Sequence, residues 1–208
     1  MESPVILYLP AKDEIEIDRK EVYRYMGYTM KQINETEEHI AKMIEDVIRQ
    51  TEEIITPKAC YSRFPVEVKK DGRILLPYGE VVSHDLTRNL HDCQEIFLFA
   101  ATIGADFDRL LRRTRVESMA KAAILQAAGA AAVESLCDHL NDELKRQIEA
   151  EGNITHPRYS PGYGDYVLEN QKGIFSVLQP PRYIGLSLMD TLIMAPEKSV
   201  TAVIGIEY

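Results

Sequence analysis

The sequence predicts a single α+β domain, because segments with the character of strands lie on both sides of one long helix. The apolar run at residues 95–103 is typical of a buried strand, and residues 117–149 carry the longest helical pattern. Further extended segments follow that helix between residues 184 and 206. This order favours α+β over a repeating βαβ arrangement. A chain of 208 residues can bury about 70% of its unfolded surface, which suits one domain.

Residues 1–57 are predicted to be an N-terminal, mainly helical part of this domain, and residues 58–208 to supply the sheet, the long helix and a ligand loop. A short strand is expected at 5–9. Apolar and acidic residues alternate over 14–18, which predicts a second extended run.

Two helices are predicted before residue 58. The first covers residues 20–28, where Gly27 is the stop signal. The second begins at Thr29 and ends before Pro57, with an apolar stripe on one face and an acidic, solvated face opposite it.

The next segments predict a hairpin. Residues 60–68 and 73–76 are extended, and the Asp71-Gly72 pair between them is a strong turn signal. Pro65 lies inside the first segment. Proline has no N–H to donate to a neighbouring strand, so it is poorly suited to a strand that is paired on both sides. We therefore expect an edge strand there.

A short helix and the central strand follow the hairpin. Ser83 is a suitable N-cap for a helix that runs to Leu90. The strand at 95–103 is expected to lie at the centre of the sheet. The turn at 101–106 could offer amides to an anion, but a plain connection from strand to helix is the stronger interpretation.

The long helix at 117–149 carries small residues in its first half, which indicates close packing and burial. At 100° per residue, Glu134 and Asn141 fall on the border of its apolar stripe, and Asp138 lies one turn from Glu134. A carboxylate at the edge of a buried face needs a partner. That partner is either a structural arginine or the polar groups of a ligand.

The C-terminal block predicts a short helix over 174–178 and a break at Pro180-Pro181. Three candidate strands follow this break, at 184–188, 191–194 and 199–206.

Composition and charge exclude several classes of protein. A net charge of −9 argues against a binder of duplex nucleic acid, which needs a dense lysine and arginine face. The three cysteines are scattered and suit a reduced state, and the dispersed histidines predict no metal site. Residues 1–8 lack the features of a signal peptide, and no window approaches twenty apolar residues. We therefore expect a cytoplasmic protein that neither spans a membrane nor has one as a partner.

The stretch from Pro157 to Asp165 combines features of a ligand cradle. Its prolines stiffen the backbone, whereas Gly162 and Gly164 permit a tight bend around Tyr163. Arg158 offers a planar fork of donors suited to a carboxylate or a phosphate. An exposed surface loop is the plainer interpretation, but the mixture of aromatic, cationic and anionic groups favours a binding site.

The hexapeptide from Arg158 to Tyr163 resembles the R-x-x-P-G-Y signature of the activation domain of cobalamin-dependent methionine synthase, which binds S-adenosylmethionine. Three further segments fall in the order of that family and of its free-standing relatives: 24–28, 101–104 and 194–200. The resemblance therefore spans nearly the whole chain. It implies an activation domain fold, with a twisted, mainly antiparallel sheet and long helices.

The resemblance also implies a set of residues that bind S-adenosylmethionine: Asp18, Glu134, Arg158, Tyr159, Gly162 and Tyr163. Arg158 would hold the carboxylate of the ligand, and the backbone at Tyr159 would meet the adenine. Tyr163 would close the pocket near the methyl group. Glu134 is similar to the family's acidic ligand on a helix, and Asp18 to the carboxylate that meets the amine.

The function that this resemblance implies is a reactivation subunit, acting in trans, that supports the reductive remethylation of cobalamin in methionine synthase. The sequence lacks an Asp-x-His-x-x-Gly cobalamin element, so a partner polypeptide would carry the cobalamin and a flavodoxin-like protein could donate electrons. Methyl transfer from a sulfonium to reduced cobalt needs positioning rather than a side-chain base. No catalytic residue is therefore expected.

Two other functions stay open from the sequence. One is a non-catalytic docking or assembly protein for a corrinoid enzyme, in which the loop has only a structural role. The other is a sensor of small anions that uses Arg158 and the turn after Ile103.

Overall fold

The structure is a computed structural model that describes residues 3–34, 36–69 and 71–208, and it has the predicted α+β fold. A five-stranded antiparallel sheet forms its centre. With strands numbered along the chain, its spatial order is β1 (Ile6–Tyr8), β2 (Lys58–Pro65), β6 (Cys93–Thr102), β10 (Ser199–Glu207) and β7 (Ile154–Thr155). The apolar run predicted as the central strand is β6, the third of the five.

Two smaller antiparallel sheets accompany the central one. They consist of β3 (Glu67–Val68), β4 (Arg73–Leu76) and β5 (Gly79–Val82), and of β8 (Ser187–Leu188) and β9 (Met194–Ala195). The predicted hairpin is confirmed between β3 and β4, where Gly72 has a φ of 86°.

The helices are α1 (Arg19–Tyr25), α2 (Met30–Asn34), α3 (Glu38–Ile54), α4 (His84–Asn89), α5 (Ala105–Glu117), α6 (Met119–Ala150), α7 (Asn170–Leu178) and α8 (Pro180–Tyr183). A 3-10 turn covers Lys12–Glu14. Among the described residues, none of these helices combines the length and the apolar content that a membrane span requires.

The long helix α6 packs against one face of the sheet, together with α1, α3 and α5. Small residues allow this contact to be close, as predicted. A side chain at Gly129 would place its Cβ 2.2 Å from the ring of Phe107 on α5, so this position has room only for glycine. The opposite face of the sheet packs against α4, α7 and the β3–β5 sheet around the buried Tyr166.

The predicted helix from Thr29 to Pro57 is in fact two helices. The hydroxyl of Thr36 donates to the carbonyl of Gln32 at 2.8 Å, and Glu37 has an extended backbone, with φ −60° and ψ 139°. Threonine side chains that bond to the preceding turn compete with helical continuation. The amphipathic stripe continued through this region and hid the break.

Two predictions about extended segments were wrong. Residues 60–68 are divided between β2 and β3, which belong to different sheets, and β2 lies between β1 and β6 rather than at an edge. Pro65 is tolerated because β1 pairs with β2 only as far as Tyr61. At 14–18 the alternation is real, since Ile15 and Ile17 are buried, but a 3-10 turn replaces its start and none of these residues belongs to a strand.

The C-terminal block keeps the predicted order of elements, and two of its three predicted strands are shorter than expected. The break at Pro180 begins a new short helix, α8, because proline fits the first turn of a helix. The candidate strands at 184–188 and 191–194 contract to the two-residue strands β8 and β9.

Candidate functional site

A cavity of about 530 Å³ lies beside the loop at residues 157–165, between α6 and α7. Small-molecule sites have volumes of ~300–1,000 Å³, so this cavity can hold a metabolite. The loop forms one wall with Arg158, Tyr159, Ser160, Pro161 and Tyr163. The remaining walls consist of Glu134, Gln171, Met194, Ser199, Val200 and Thr201.

Backbone hydrogen bonds fix the loop to the sheet. The N–H of Tyr159 donates to the carbonyl of Val203 at 2.8 Å, and the N–H of Val203 donates back at 2.9 Å. The N–H of Gly162 donates to the carbonyl of Tyr166 at 2.7 Å, which closes the bend. Tyr166 is fully buried, and its hydroxyl lies 2.5 Å from that of Tyr78. The loop is therefore a supported wall of the cavity.

Asp165 ties the end of the loop to the N-terminus of α4. Its carboxylate accepts hydrogen bonds from the Ser83 hydroxyl at 2.5 Å, from the N–H of His84 at 2.7 Å and from the N–H of Asp85 at 3.1 Å. These bonds, first of all the one from Ser83, hold the pKa of Asp165 below its usual value. Ser83 also caps α4 as predicted, since its hydroxyl accepts from the N–H of Leu86.

Gly164 is required where the loop meets α4. Its φ is +53°, and an added Cβ would lie 2.2 Å from Oδ2 of Asp85 and 2.6 Å from the hydroxyl of Tyr159. Any side chain here would strain the backbone and would displace either the loop or the Asp85 carboxylate and the Tyr159 hydroxyl.

Arg158 bridges the loop to α6. Its Nη2 donates to Oε2 of Glu134 at 2.6 Å, and its Nη1 donates to Oδ1 of Asp138 at 2.5 Å. With its amide turned so that the oxygen faces the arginine, Asn141 accepts from Nη1 at 2.6 Å and donates to the carbonyl of Cys137 at 3.2 Å. The three acceptors lie at i, i+4 and i+7, and therefore on one stripe of the helix.

Glu134, the carboxylate at the border of the apolar stripe, therefore has an arginine as its partner. That arginine, Arg158, belongs to the predicted ligand loop. The side chain of Arg158 is 22% exposed, compared with 43% for Glu134 and 67% for Asp138. Burial by itself would lower the pKa of Arg158, but the hydrogen bond to Asp138 and the other acidic contacts outweigh it, so the pKa is raised. The guanidinium remains charged, with its fork aimed at α6 and its flank towards the cavity.

Four of the six predicted site residues line one cavity: Glu134, Arg158, Tyr159 and Tyr163. Tyr163 is 68% exposed and lies at the rim. Gly162 shapes the bend with a φ of +96°.

Asp18 lies elsewhere. It is the N-cap of α1, where its carboxylate accepts from the N–H of Lys20 at 2.7 Å, and it does not line the cavity. The segment before it touches α6, because the Ser135 hydroxyl donates to the carbonyl of Glu16 at 2.6 Å. Asp18 is therefore near the helix that carries Glu134, although it is not a wall residue.

Sequence reasoning missed Gln171 and Thr201 as wall residues. The sequence does carry a signal for Gln171. It lies three positions before Ile174 and seven before Leu178, and this spacing places a polar residue on the buried face of a helix. The predicted helix begins only at residue 174, whereas α7 begins at Asn170, so Gln171 lies outside the predicted helix. Thr201 lies within the mostly apolar strand β10, which is buried almost throughout, so the sequence does not single it out.

The other polar candidates have structural roles. His156 precedes the loop, and its ring nitrogens lie 2.6 Å from the carbonyl of Asn89 and 2.9 Å from Glu207. At the turn after β6, the N–H of Ile103 donates to the carbonyl of Lys198, and the N–H of Gly104 to the hydroxyl of Thr102. These amides are thus engaged within the chain, which agrees with a plain turn.

Metal and thiol chemistry have no candidate in the part of the chain that the structure describes. No group of three or more metal-ligating side chains occurs there. All three cysteines are free and buried, and burial raises the pKa of Cys60 and of Cys93 to about 12. These thiols are therefore protonated at neutral pH and act as packing groups.

Comparisons with known proteins identify the fold. Neither a family model nor a curated protein matches the sequence. Thirteen chains of solved structures do match, and one of them is the crystal structure of the MetH reactivation domain bound to AdoHcy. The TM-score is 0.71, with 98% of this chain and 78% of that chain covered, at 15% sequence identity. The resemblance predicted from the hexapeptide is confirmed at the level of structure, and the chain has the fold of the MetH reactivation domain.

Proposed function

We propose that the chain binds S-adenosylmethionine in the cavity beside Arg158 and acts in trans as a reactivation subunit of a cobalamin-dependent methionine synthase. The observation that carries the proposal is the position of Arg158 and Glu134 in the wall of one metabolite-sized cavity. Two independent lines support it: the R-x-x-P-G-Y hexapeptide, and a fold shared with a domain whose crystal structure contains AdoHcy.

The groups around the cavity suit a zwitterionic nucleoside. Arg158 has five N–H donors, and its contacts with Glu134, Asp138 and Asn141 engage Nη2 and Nη1 but not Nε, so the guanidinium can be shared with a carboxylate. Glu134 offers an acceptor to an amine. Uncharged polar groups on the opposite wall can accept or donate hydrogen bonds to neutral parts of the ligand.

The remaining proposed roles follow the loop. Tyr159 lines the wall, where its backbone would meet a planar base, and Gly162 permits the bend that places Tyr163 beside it. Tyr163 covers the mouth of the cavity. Asp18 would join the site through the amine of the ligand, from the segment that touches α6 next to Glu134.

When bound, S-adenosylmethionine supplies a methyl group on a sulfonium. The protein's contribution is to orient that group towards the mouth and to keep the charged half paired, which is catalysis by positioning. The cobalamin would be carried by a partner polypeptide that meets the exposed Tyr163 side, and a flavodoxin-like donor would supply electrons. We propose no acid or base among the side chains.

Calorimetric titration with S-adenosylmethionine tests the proposal. We expect one site per chain, and we expect Arg158→Ala to weaken binding by up to about tenfold. This is less than the full value of sheltered charge-assisted hydrogen bonds, because Arg158 is already paired with Glu134 and Asp138. Arg146→Ala is the matched control, because Arg146 pairs with Glu143 on the same helix but is 68% exposed and outside the cavity. Binding that is equal in the wild type and in Arg158→Ala would contradict the proposed site.

A docking or assembly protein for a corrinoid enzyme is the second candidate. The observation that favours it is the engagement of Arg158 by Glu134 and Asp138, which gives the arginine a structural role without any ligand. This candidate predicts that the wild type takes up no S-adenosylmethionine. It also predicts that Arg158→Ala leaves the affinity for a cobalamin-carrying polypeptide unchanged.

A further inference from the structure

Two buried polar atoms in the wall of the cavity have no hydrogen-bond partner among the described residues. Gln171 is 6% exposed and Thr201 is 2% exposed, and the unpaired atoms are Oε1 of Gln171 and Oγ1 of Thr201. Native proteins keep few such atoms, since each forfeits its hydrogen bonds to water. The described part of the chain has four of them, and two lie in this one cavity.

Packing does not explain why these two residues are polar. Gln171 lies on the face of α7 that buries Ile174 and Leu178. Thr201 lies on the same face of β10 as Val203, which belongs to that apolar cluster. Apolar side chains of the same size would satisfy both positions, as they do for the neighbouring residues. The retained polar groups therefore point to a ligand.

We propose that Gln171 and Thr201 form a neutral hydrogen-bonding subsite that selects the nucleoside half of the ligand. The inference rests on the proposed function, in which Arg158 and Glu134 take the charged amino-acid half. Oε1 of Gln171 accepts from an N–H or an O–H, and the hydroxyl of Thr201 donates or accepts. The group that fits this pair is a hydroxyl or an amino group, as a nucleoside carries.

Such a subsite gives selectivity as well as affinity. A site built to hydrogen-bond a polar group rejects an analogue that lacks the group, because the buried atoms of the protein are then left unpaired. A water molecule held in the cavity would satisfy the same atoms without any selection. The two cases differ in what happens when the polar atoms are removed.

The test uses the volume-conserving variants Thr201→Val and Gln171→Met, titrated with S-adenosylmethionine and with adenosine. We expect each variant to bind both compounds about three- to tenfold more weakly than the wild type, the value of one neutral hydrogen bond. The thermal midpoint of each free variant should be equal to that of the wild type or higher, because an unpaired buried atom has been removed.

Thr51→Val is the matched control. Thr51 is also fully buried, but its hydroxyl donates to the carbonyl of Val47 at 2.8 Å and lies outside the cavity. We expect this variant to have a lower thermal midpoint and an unchanged affinity for both compounds.

The outcomes separate the subsite from the proposed function. Equal affinities in the wild type, Thr201→Val and Gln171→Met would overturn the subsite and leave S-adenosylmethionine binding in place. Adenosine binding that the variants weaken, with no uptake of S-adenosylmethionine by the wild type, would support the subsite and overturn the proposed function. A midpoint lowered as in Thr51→Val, or no uptake of either compound by the wild type, would overturn the subsite.

Discussion

The two ends of the cavity differ in how their polar groups are satisfied. At the α6 end, Arg158 already has Glu134 and Asp138 as partners at 2.6 and 2.5 Å. At the α7 end, Gln171 and Thr201 are buried and carry unpaired oxygens. The polar groups of the charged end thus have partners without a ligand, whereas those of the neutral end would find theirs in a ligand.

This difference assigns different tasks to the two ends. A carboxylate that reaches Arg158 must share it with two acids of the protein, so the gain in affinity there is the difference between old and new contacts. A hydroxyl or amine that reaches Gln171 displaces no partner of the protein. We therefore expect the charged end to orient the ligand and the neutral end to contribute selectivity.

The largest effect is expected from Gly164→Ala, which breaks the charged end by moving the loop that carries Arg158. The added Cβ would lie 2.2 Å from Oδ2 of Asp85, at a φ of +53°. We expect the free energy of unfolding to fall by about 1–3 kcal/mol and S-adenosylmethionine binding to be lost. Chemical denaturation and calorimetry measure the two effects.

Gly152→Ala controls for backbone strain alone. Gly152 has a φ of +84°, and nothing lies within 4 Å of its added Cβ. This variant should keep the affinity of the wild type. If Gly164→Ala also kept it, the loop would not be the rigid wall described above.

A smaller effect in the opposite direction is expected from Asp138→Asn, which removes one competitor of the ligand for Arg158. The side chain of Asp138 is 67% exposed, and exposed ion pairs contribute about 0.2–1 kcal/mol. Freed from this pair, Arg158 should bind the carboxylate of S-adenosylmethionine up to about fivefold more tightly. Calorimetry measures the change.

Asp142→Asn is the control for Asp138→Asn, because Asp142 is an exposed acid one turn further along α6 that does not line the cavity. A weaker affinity in Asp138→Asn would show that the acid orients Arg158 for the ligand rather than competing with it.

The smallest effect concerns His156, which holds the start of the loop but contacts neither end of the cavity. Burial by itself would lower the pKa of His156, but the carbonyl of Asn89 and the carboxylate of Glu207 outweigh it and raise the pKa above 6.5. Stability from this contact is therefore complete below pH 6.5 and is lost as the pH rises through the folded-state pKa. Denaturation of the wild type and of His156→Gln between pH 5 and 9 measures it.

We expect the substitution to flatten this part of the stability profile and to leave ligand affinity nearly unchanged. His39→Gln, which removes a histidine with a side chain 69% exposed, controls for the loss of an imidazole. A profile that keeps its shape in His156→Gln would contradict the assignment.

Local signals predicted much of the fold. Ser83, Gly72 and the apolar run of β6 each acted through the chemistry of a few neighbouring residues, so the cap, the hairpin and the central strand could be read directly. The position of the strand that contains Pro65 could not be predicted in this way. Proline is accepted there because β1 does not extend that far along β2, and strand pairing is not a local property.

The charged end of the site was also accessible from the sequence. The border position of Glu134 on α6 required a partner, and Arg158 stood out in its loop. The neutral end could not be predicted from the sequence. The unpaired oxygens of Gln171 and Thr201 become apparent only when α7 packs over β10 and leaves a cavity. Satisfied charges leave a pattern in the sequence, whereas unsatisfied neutral groups resemble ordinary core residues.

The most direct test is a crystal structure of the chain grown with S-adenosylmethionine. We predict density in the cavity with the carboxylate of the ligand on Arg158 and a hydroxyl or amino group of its nucleoside within hydrogen-bond distance of Gln171 or Thr201. A cavity without ligand, in which Arg158 keeps only its contacts with α6, would contradict the proposed binding.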